Sequence, residues 1–224
     1  RRTMNAAAAN PIPLSAAMGM ATKDSSRTTL AEILLVAENR MYNNKLIESQ
    51  EVRRNIVASM EAMLQEHCFE NAGHSERVAR LAAGFADFLG GLGEMDKNLL
   101  NKLATLHDIG KVAIPRQILG KPGPLSAREL EIAKSHSDIG YRLAQSIGEP
   151  ILAELILALH ERWDGKGYPF GLKGEHIPLL VRLFSLVDVY DVLINDRPYR
   201  RAMDKESTLR EIAAGGGSKF DPVL

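Results

Sequence analysis

The sequence predicts an all-α protein: a bundle of about six to seven helices over residues 67–224, preceded by a small strand-and-helix segment over residues 1–66. Three observations carry this. From His74 onward, apolar residues recur every three or four positions, the period of a helix with one buried face. No run in that half alternates over more than about five residues, which leaves strands without support. The periodic runs are also bounded by residues that start or stop helices: Gly90-Gly91, Ser126 with Glu129, Pro150, Pro178 and Gly215-Gly216-Gly217.

In chain order, residues 1–28 are rich in Ala, Ser, Thr and Pro and read as loop with one short strand near Ala16–Ala21. Leu30, Ile33, Leu34, Ala37 and Met41 begin a helical run, and Val52, Ile56, Met60, Met63 and Leu64 continue it. These make either a helix pair or one long helix. Val78, Leu81, Ala82, Phe85 and Leu89 form the next stripe, and Leu99, Leu103, Leu106 and Ile109 another. Ser126 and Glu129 form a capping box, which opens a helix through about Gln145. Pro150 opens a helix to about Arg162, since proline is tolerated in the first turn. Residues 163–178 contain six glycines and prolines and must be loop. Pro178 then opens a strongly apolar helix to about Ile194, and a last helix spans roughly 204–213.

Lys plus Arg equals Asp plus Glu, 28 each, so net charge gives no reason to expect a nucleic-acid polymer as partner. An anion would have to be held by a local cluster. The single cysteine, Cys68, rules out an internal disulfide and fits a reducing, cytoplasmic compartment. No apolar run reaches the roughly 18 residues that span a bilayer. The chain opens without Met, as expected of a piece of a longer protein.

Four of the six histidines, His74, His107, His136 and His160, sit on or at the ends of predicted helices beside small or acidic residues. His107 and Asp108 are adjacent, so their side chains diverge by about 100° and reach two points of one cavity. Asp188 lies in the apolar run Leu183–Val189. A carboxylate there must ligate a metal or be paired, for instance with Arg182. Glu70 and His74 are four apart and share a helical face. Nitrogen and oxygen donors without sulfur suit iron, manganese, zinc or nickel. Such ions acidify water and neutralise phosphate oxygens, which points to hydrolysis of a phosphate ester. In the loop His160–Pro169, Trp163 and Tyr168 offer faces for a base, or Trp163 plugs the core, and Lys166 can meet a phosphate. Arg197 and Arg200 flank Pro198-Tyr199 as a phosphate or guanine clamp, or as a solvated helix end.

These blocks occur in a fixed order: His107-Asp108-Ile109-Gly110-Lys111, Lys121-Pro122-Gly123, His136-Ser137-Asp138, His160 to Pro169, Gly174 to Pro178, Asp188-Val189-Tyr190-Asp191, Arg197-Pro198-Tyr199-Arg200 and Phe220-Asp221-Pro222. The set resembles the HD-GYP subgroup of the HD superfamily, over about residues 70–224. The resemblance implies an HD-type helical bundle with two or three divalent ions, iron or manganese foremost. It implies His74, His107, Asp108 and Asp188 as core ligands, with Asp108 bridging, His136 and His160 on the second ion, and Glu70 on a third. It implies Lys111 and Asp108 as the catalytic pair. Lys111, Tyr168, Asp191, Arg197 and Arg200 would contact the substrate, cyclic di-GMP, which is cut to the linear dinucleotide and in some members on to GMP. The family's paired histidines read Leu159-His160 here, and leucine cannot ligate. That departure sets an active phosphodiesterase against a cyclic di-GMP receptor or interaction module that has lost turnover. A hydrolase for another nucleotide is disfavoured by the Gly-Tyr-Pro loop. Residues 16–45 resemble the last strand and helix of a GGDEF (diguanylate cyclase) domain without its signature loop. GGDEF-domain partners and a homodimer through the N-terminal helices follow as expectations.

Overall fold

The computed structural model describes residues 16–23, 29–67, 73–196 and 201–224. The proposed ligand Glu70 and the clamp residues Arg197 and Arg200 lie outside them. Among the described residues there are nine α-helices and no strand. The chain divides into two compact units, Arg1–Ala58 and Ser59–Leu224, so the division falls inside the first helix rather than at residue 66.

Helix α1 (Leu30–His67), which begins in the first unit, is one continuous helix rather than a pair. Thr29 and Glu32 cap it reciprocally: Thr29 N donates to Glu32 Oε2 at 2.7 Å and Glu32 N to Thr29 Oγ1 at 3.3 Å. The strand expected near 16–21 does not form. Residues 16–23 have no ladder partner among the described residues, and side chains of α1 take up the carbonyls of Met18 and Met20 instead. Arg40 Nη1 donates to Met20 O at 2.7 Å, and Asn44 Nδ2 to Met18 O at 2.9 Å.

The second unit is the bundle. Its helices are α2 (His74–Leu89), α3 (Glu94–Leu106), α4 (Arg116–Leu119), α5 (Ala127–Lys134), α6 (His136–Ser146), α7 (Pro150–Ala158), α8 (Leu179–Ile194) and α9 (Lys205–Ala214). One-turn 3-10 helices cover Ile109–Ala113 and Gly174–His176. On α2 the buried residues His74, Val78, Ala82 and Ala86 repeat every four positions, one face of the helix. Gly73 and Gly90, at φ of 79° and 68°, bound it in conformations that favour glycine. Helix α8 is buried nearly all round through Leu180, Val181, Leu183, Phe184, Leu186 and Val187, as befits the central element. Phe184 is fully enclosed, and burying a side chain of that size is worth about 1.5–3 kcal/mol. Helix α2 packs on α3 and α8, and α6 packs on α7 and on the 3-10 turn Ile109–Ala113.

Two expected helices are shorter than their apolar period suggests. The Ser126–Glu129 capping box forms, but the helix breaks at Ser135. There the backbone tightens to bond the Glu131 and Ile132 carbonyls, and Ser135 Oγ takes the Ile132 carbonyl at 2.7 Å. The break makes His136 the first residue of α6. Helix α7 stops at Ala158 rather than near Arg162, because the chain must turn for the His160 carbonyl to accept from Tyr168 N at 3.2 Å. Among the described residues no helix is long and apolar enough to cross a membrane.

Candidate metal centre

Each chemistry-bearing side chain stands at an end or bend of a helix, apart from the two on α8. His74 opens α2, while His107 and Asp108 close α3. Lys111 lies in the following 3-10 turn, where residues three apart eclipse, and its Nζ donates to Asp108 Oδ2. His136 opens α6, and His160 follows α7. Gly110 lets the 3-10 turn meet α6: a Cβ there would lie 1.9 Å from the His136 carbonyl oxygen.

The folding brings two groups together. Donor atoms of His74, His107 and Asp108, all three residues buried, lie within 4.8 Å of one another. Asp188 Oδ1 joins them, 3.4 Å from His74 Nε2 and 3.9 Å from His107 Nε2. His107 Nδ1 donates to the Ala104 carbonyl at 3.1 Å, so Nε2 carries the lone pair, 3.3 Å from Asp108 Oδ2. In the second group His136 Nε2 lies 2.8 Å from His160 Nε2. His136 Nδ1 donates to the Ala133 carbonyl at 2.6 Å, which again leaves Nε2 as the lone-pair atom. Two ligand nitrogens on one ion at about 2.1 Å each stand roughly 3 Å apart, close to this spacing. The Asp108 charge acts on both His136 and His160. The donor set therefore fits first-row divalent ions, and it contains no sulfur.

At His136 and His160 electrostatics agree with neutral imidazoles. Burial pushes His136 below the usual histidine range. Burial, helped by His136, pushes His160 down to about 4. Burial pushes the Tyr168 phenol up to about 12. Burial alone would raise Asp188, but His74 and His107 more than offset it and hold the carboxyl low.

Other expected residues fall elsewhere. Asp191 is only 1% exposed, and its carboxylate is taken up by His74, Arg77 and Asn195. The described contacts of that side chain are thus all within the protein. Asp188 is not paired with Arg182, whose Nη1 donates to Asp221 Oδ2. Tyr168 stacks on His160 with centroids 5.0 Å apart and an angle of 13°, so one of its faces is already occupied. Trp163 lies under the Arg182 guanidinium at 5.7 Å. Its backbone N donates to Lys219 O at 3.2 Å, so it anchors the loop; Lys166 is exposed. Leu159 is 5% exposed and packs in the core.

Two contributors escaped the sequence reading. Glu161 is buried and accepts from the backbone N–H groups of Phe170, Gly171 and Leu172 at 2.7, 3.1 and 2.9 Å, which folds the loop back on itself. Arg77 braces Asp191 through Nε at 2.7 Å. A buried glutamate beside a Gly-rich loop, and an Arg three residues after a candidate ligand, were the available signals.

Comparison with known proteins matches the HD domain to residues 58–224. A cyclic di-GMP phosphodiesterase of Thermotoga maritima is 40% identical over 166 residues, covering 72% of this chain and 45% of that protein. A 3'3'-cGAMP-specific phosphodiesterase of Vibrio cholerae is 33% identical over 184 residues, covering 81% of this chain and 35% of the relative. The chain thus spans less than half the length of these curated relatives. Among solved structures, an HDG"Y"P protein from Bdellovibrio bacteriovorus shares the fold with a TM-score of 0.57 at 19% identity, over 89% of this chain and 71% of that one. The chain belongs to the HD domain family and carries the HD-GYP motif set found in its sequence.

Proposed function

We propose that this chain is a metal-dependent phosphodiesterase that hydrolyses cyclic di-GMP to the linear dinucleotide. The observation that supports it most is the convergence of His74, His107, Asp108 and Asp188 beside the His136–His160 pair. In this reading the first four residues hold one divalent ion, and Asp108, His136 and His160 hold a second. Glu70 would serve a third. Iron or manganese leads by the family resemblance, and the nitrogen and oxygen donors suit zinc or nickel as well. The chemistry such ions supply is Lewis-acid charge on phosphate oxygens and acidification of water. Lys111, beside Asp108, places a positive charge and a proton near the scissile phosphate. Tyr168, Arg197 and Arg200 bind the nucleotide.

The relatives' names support the substrate class, and one of them is specific for 3'3'-cGAMP. Residues 1–66 serve as an N-terminal segment with a GGDEF-like remnant and a linker helix. Homodimerisation through that helix, GGDEF-domain partners and a cytoplasmic location complete the proposal. A second reading is a receptor that binds without turnover, and Leu159 in place of a ligand favours it. The deciding experiment loads the full chain with manganese, or with iron anaerobically, and supplies cyclic di-GMP and 3'3'-cGAMP in parallel. Linear product from cyclic di-GMP is the expected result. Binding without product under every metal would leave the receptor reading and end the enzyme one.

A further inference from the structure

His74 has a carboxylate on each side. Its Nε2 lies 3.4 Å from Asp188 Oδ1, and its Nδ1 lies 2.7 Å from Asp191 Oδ2. A neutral imidazole carries one proton, and the two distances decide where. The contact at 2.7 Å is a full hydrogen bond, while 3.4 Å is beyond the usual range for N–H to oxygen. The opposite tautomer would set a bare nitrogen lone pair against a buried carboxylate oxygen at 2.7 Å. The proton therefore belongs on Nδ1, and Nε2 presents its lone pair to Asp188, His107 and Asp108.

The Asp191 carboxylate is itself held rigidly. Arg77 donates from Nε to Oδ1 at 2.7 Å and from Nη2 to Oδ2 at 3.0 Å, and Asn195 Nδ2 donates to Oδ1 at 3.1 Å. Arg77 follows His74 by three on α2, and Asp191 follows Asp188 by three on α8. One face of each helix thus presents a paired set to the other.

We propose that Asp191, braced by Arg77 and Asn195, is the positioning residue for His74, locking its Nδ1–H tautomer and turning Nε2 into the cluster. Asp191 acts through His74 and touches no substrate. The ligand role of His74 rests on the function proposed above; the tautomer does not. A carboxylate behind a ligating histidine raises the ligand's basicity, and removing one commonly costs 10–100-fold in metal affinity.

The test compares the full chain with Asp191→Asn. The amide keeps one acceptor oxygen, so an N–H2 group faces either Arg77 Nε and Asn195 Nδ2, or His74 Nδ1 and Arg77 Nη2. Nitrogen NMR of the His74 ring in metal-free protein, at a pH high enough to leave the ring neutral, reads the tautomer, and titration with Mn2+ reads the affinity of each ion. The expected result is Nδ1–H in the parent and a shift towards Nε2–H in the variant. The ion held by His74 should weaken 10–100-fold while the His136–His160 ion is unchanged. An unaltered tautomer, or equal weakening of both ions with a lowered melting temperature, would make Asp191 a packing residue and overturn the proposal. Should Asp191→Asn fail to fold, the parent alone decides: an Nε2–H tautomer refutes it. A parent that binds no metal would end the metal reading, with the tautomer still decisive for Asp191.

Discussion

Replacing Gly110 with alanine puts a carbon where the backbone of α6 already lies. The added Cβ would stand 1.9 Å from the His136 carbonyl oxygen, 2.7 Å from Gly140 N and 2.8 Å from the His136 carbonyl carbon. Real Cβ contacts stay above 3.0 Å, so the 3-10 turn and α6 must part by about 1 Å. The obstacles are all backbone, and no side chain can swing aside. Overpacking of this kind costs about 1–3 kcal/mol, and the rigid neighbours place this case at the upper end. For a unit of this size about 3 kcal/mol lowers the melting temperature by roughly 6–12 °C. The strain falls between Asp108 and His136, so divalent-ion stoichiometry should drop as well. Gly84, with nothing within 4 Å of an added Cβ on α2, is the control: alanine there should stabilise by up to about 1 kcal/mol. Differential scanning calorimetry and elemental analysis read both effects. A Gly110→Ala protein that melts with the parent and keeps its metal would refute the close-approach argument.

Three further outcomes follow. Leu159→His should raise occupancy of the ion between His136 and His160 in metal titrations, at some loss of stability because Leu159 is a core residue; unchanged occupancy would show that residue 159 does not face that site. His160 ionises at about 4 when folded, against an ordinary 6.5. Protons therefore bind the unfolded chain better, and stability held above pH 6.5 is lost as pH falls through 4. At about 1.4 kcal/mol per unit, the loss reaches roughly 3 kcal/mol in metal-free protein, to be read from urea midpoints across that window; a flat profile would show His160 to be solvated. Glu161→Ala removes the shared acceptor of three backbone N–H groups, so amide exchange at Phe170, Gly171 and Leu172 should accelerate and stability should fall by about 2 kcal/mol; protected amides in the variant would refute the clamp.

The helical period made the bundle legible: α3, α7 and α8 bury apolar faces, and α2 buries Val78 and Ala82 of its stripe while Leu89 at its end is exposed. Helix ends were less legible. Ser135 and Leu159 sit in runs that read as unbroken helix, and the bonds that break them, Ser135 Oγ to the Ile132 carbonyl and Tyr168 N to the His160 carbonyl, leave no mark on the apolar period. The cluster residues were readable because a buried carboxylate in an apolar helix needs a partner. What partner it takes was not readable: Asp188 could as well have met Arg182, and Asp191 could as well have faced solvent. Such pairings depend on the packing of α2 against α8, over a separation of 117 residues for His74 and Asp191, and no local pattern encodes it.

That separation also sets an order of events during synthesis. A chain emerging from its N-terminus exposes His74, His107, His136 and His160 before it has made the helix that bears Asp188 and Asp191. Until α8 emerges, the imidazoles have neither the acid that completes their cluster nor the one that sets the His74 proton. The four-residue cluster around His74 is thus complete only once α8 has docked on α2.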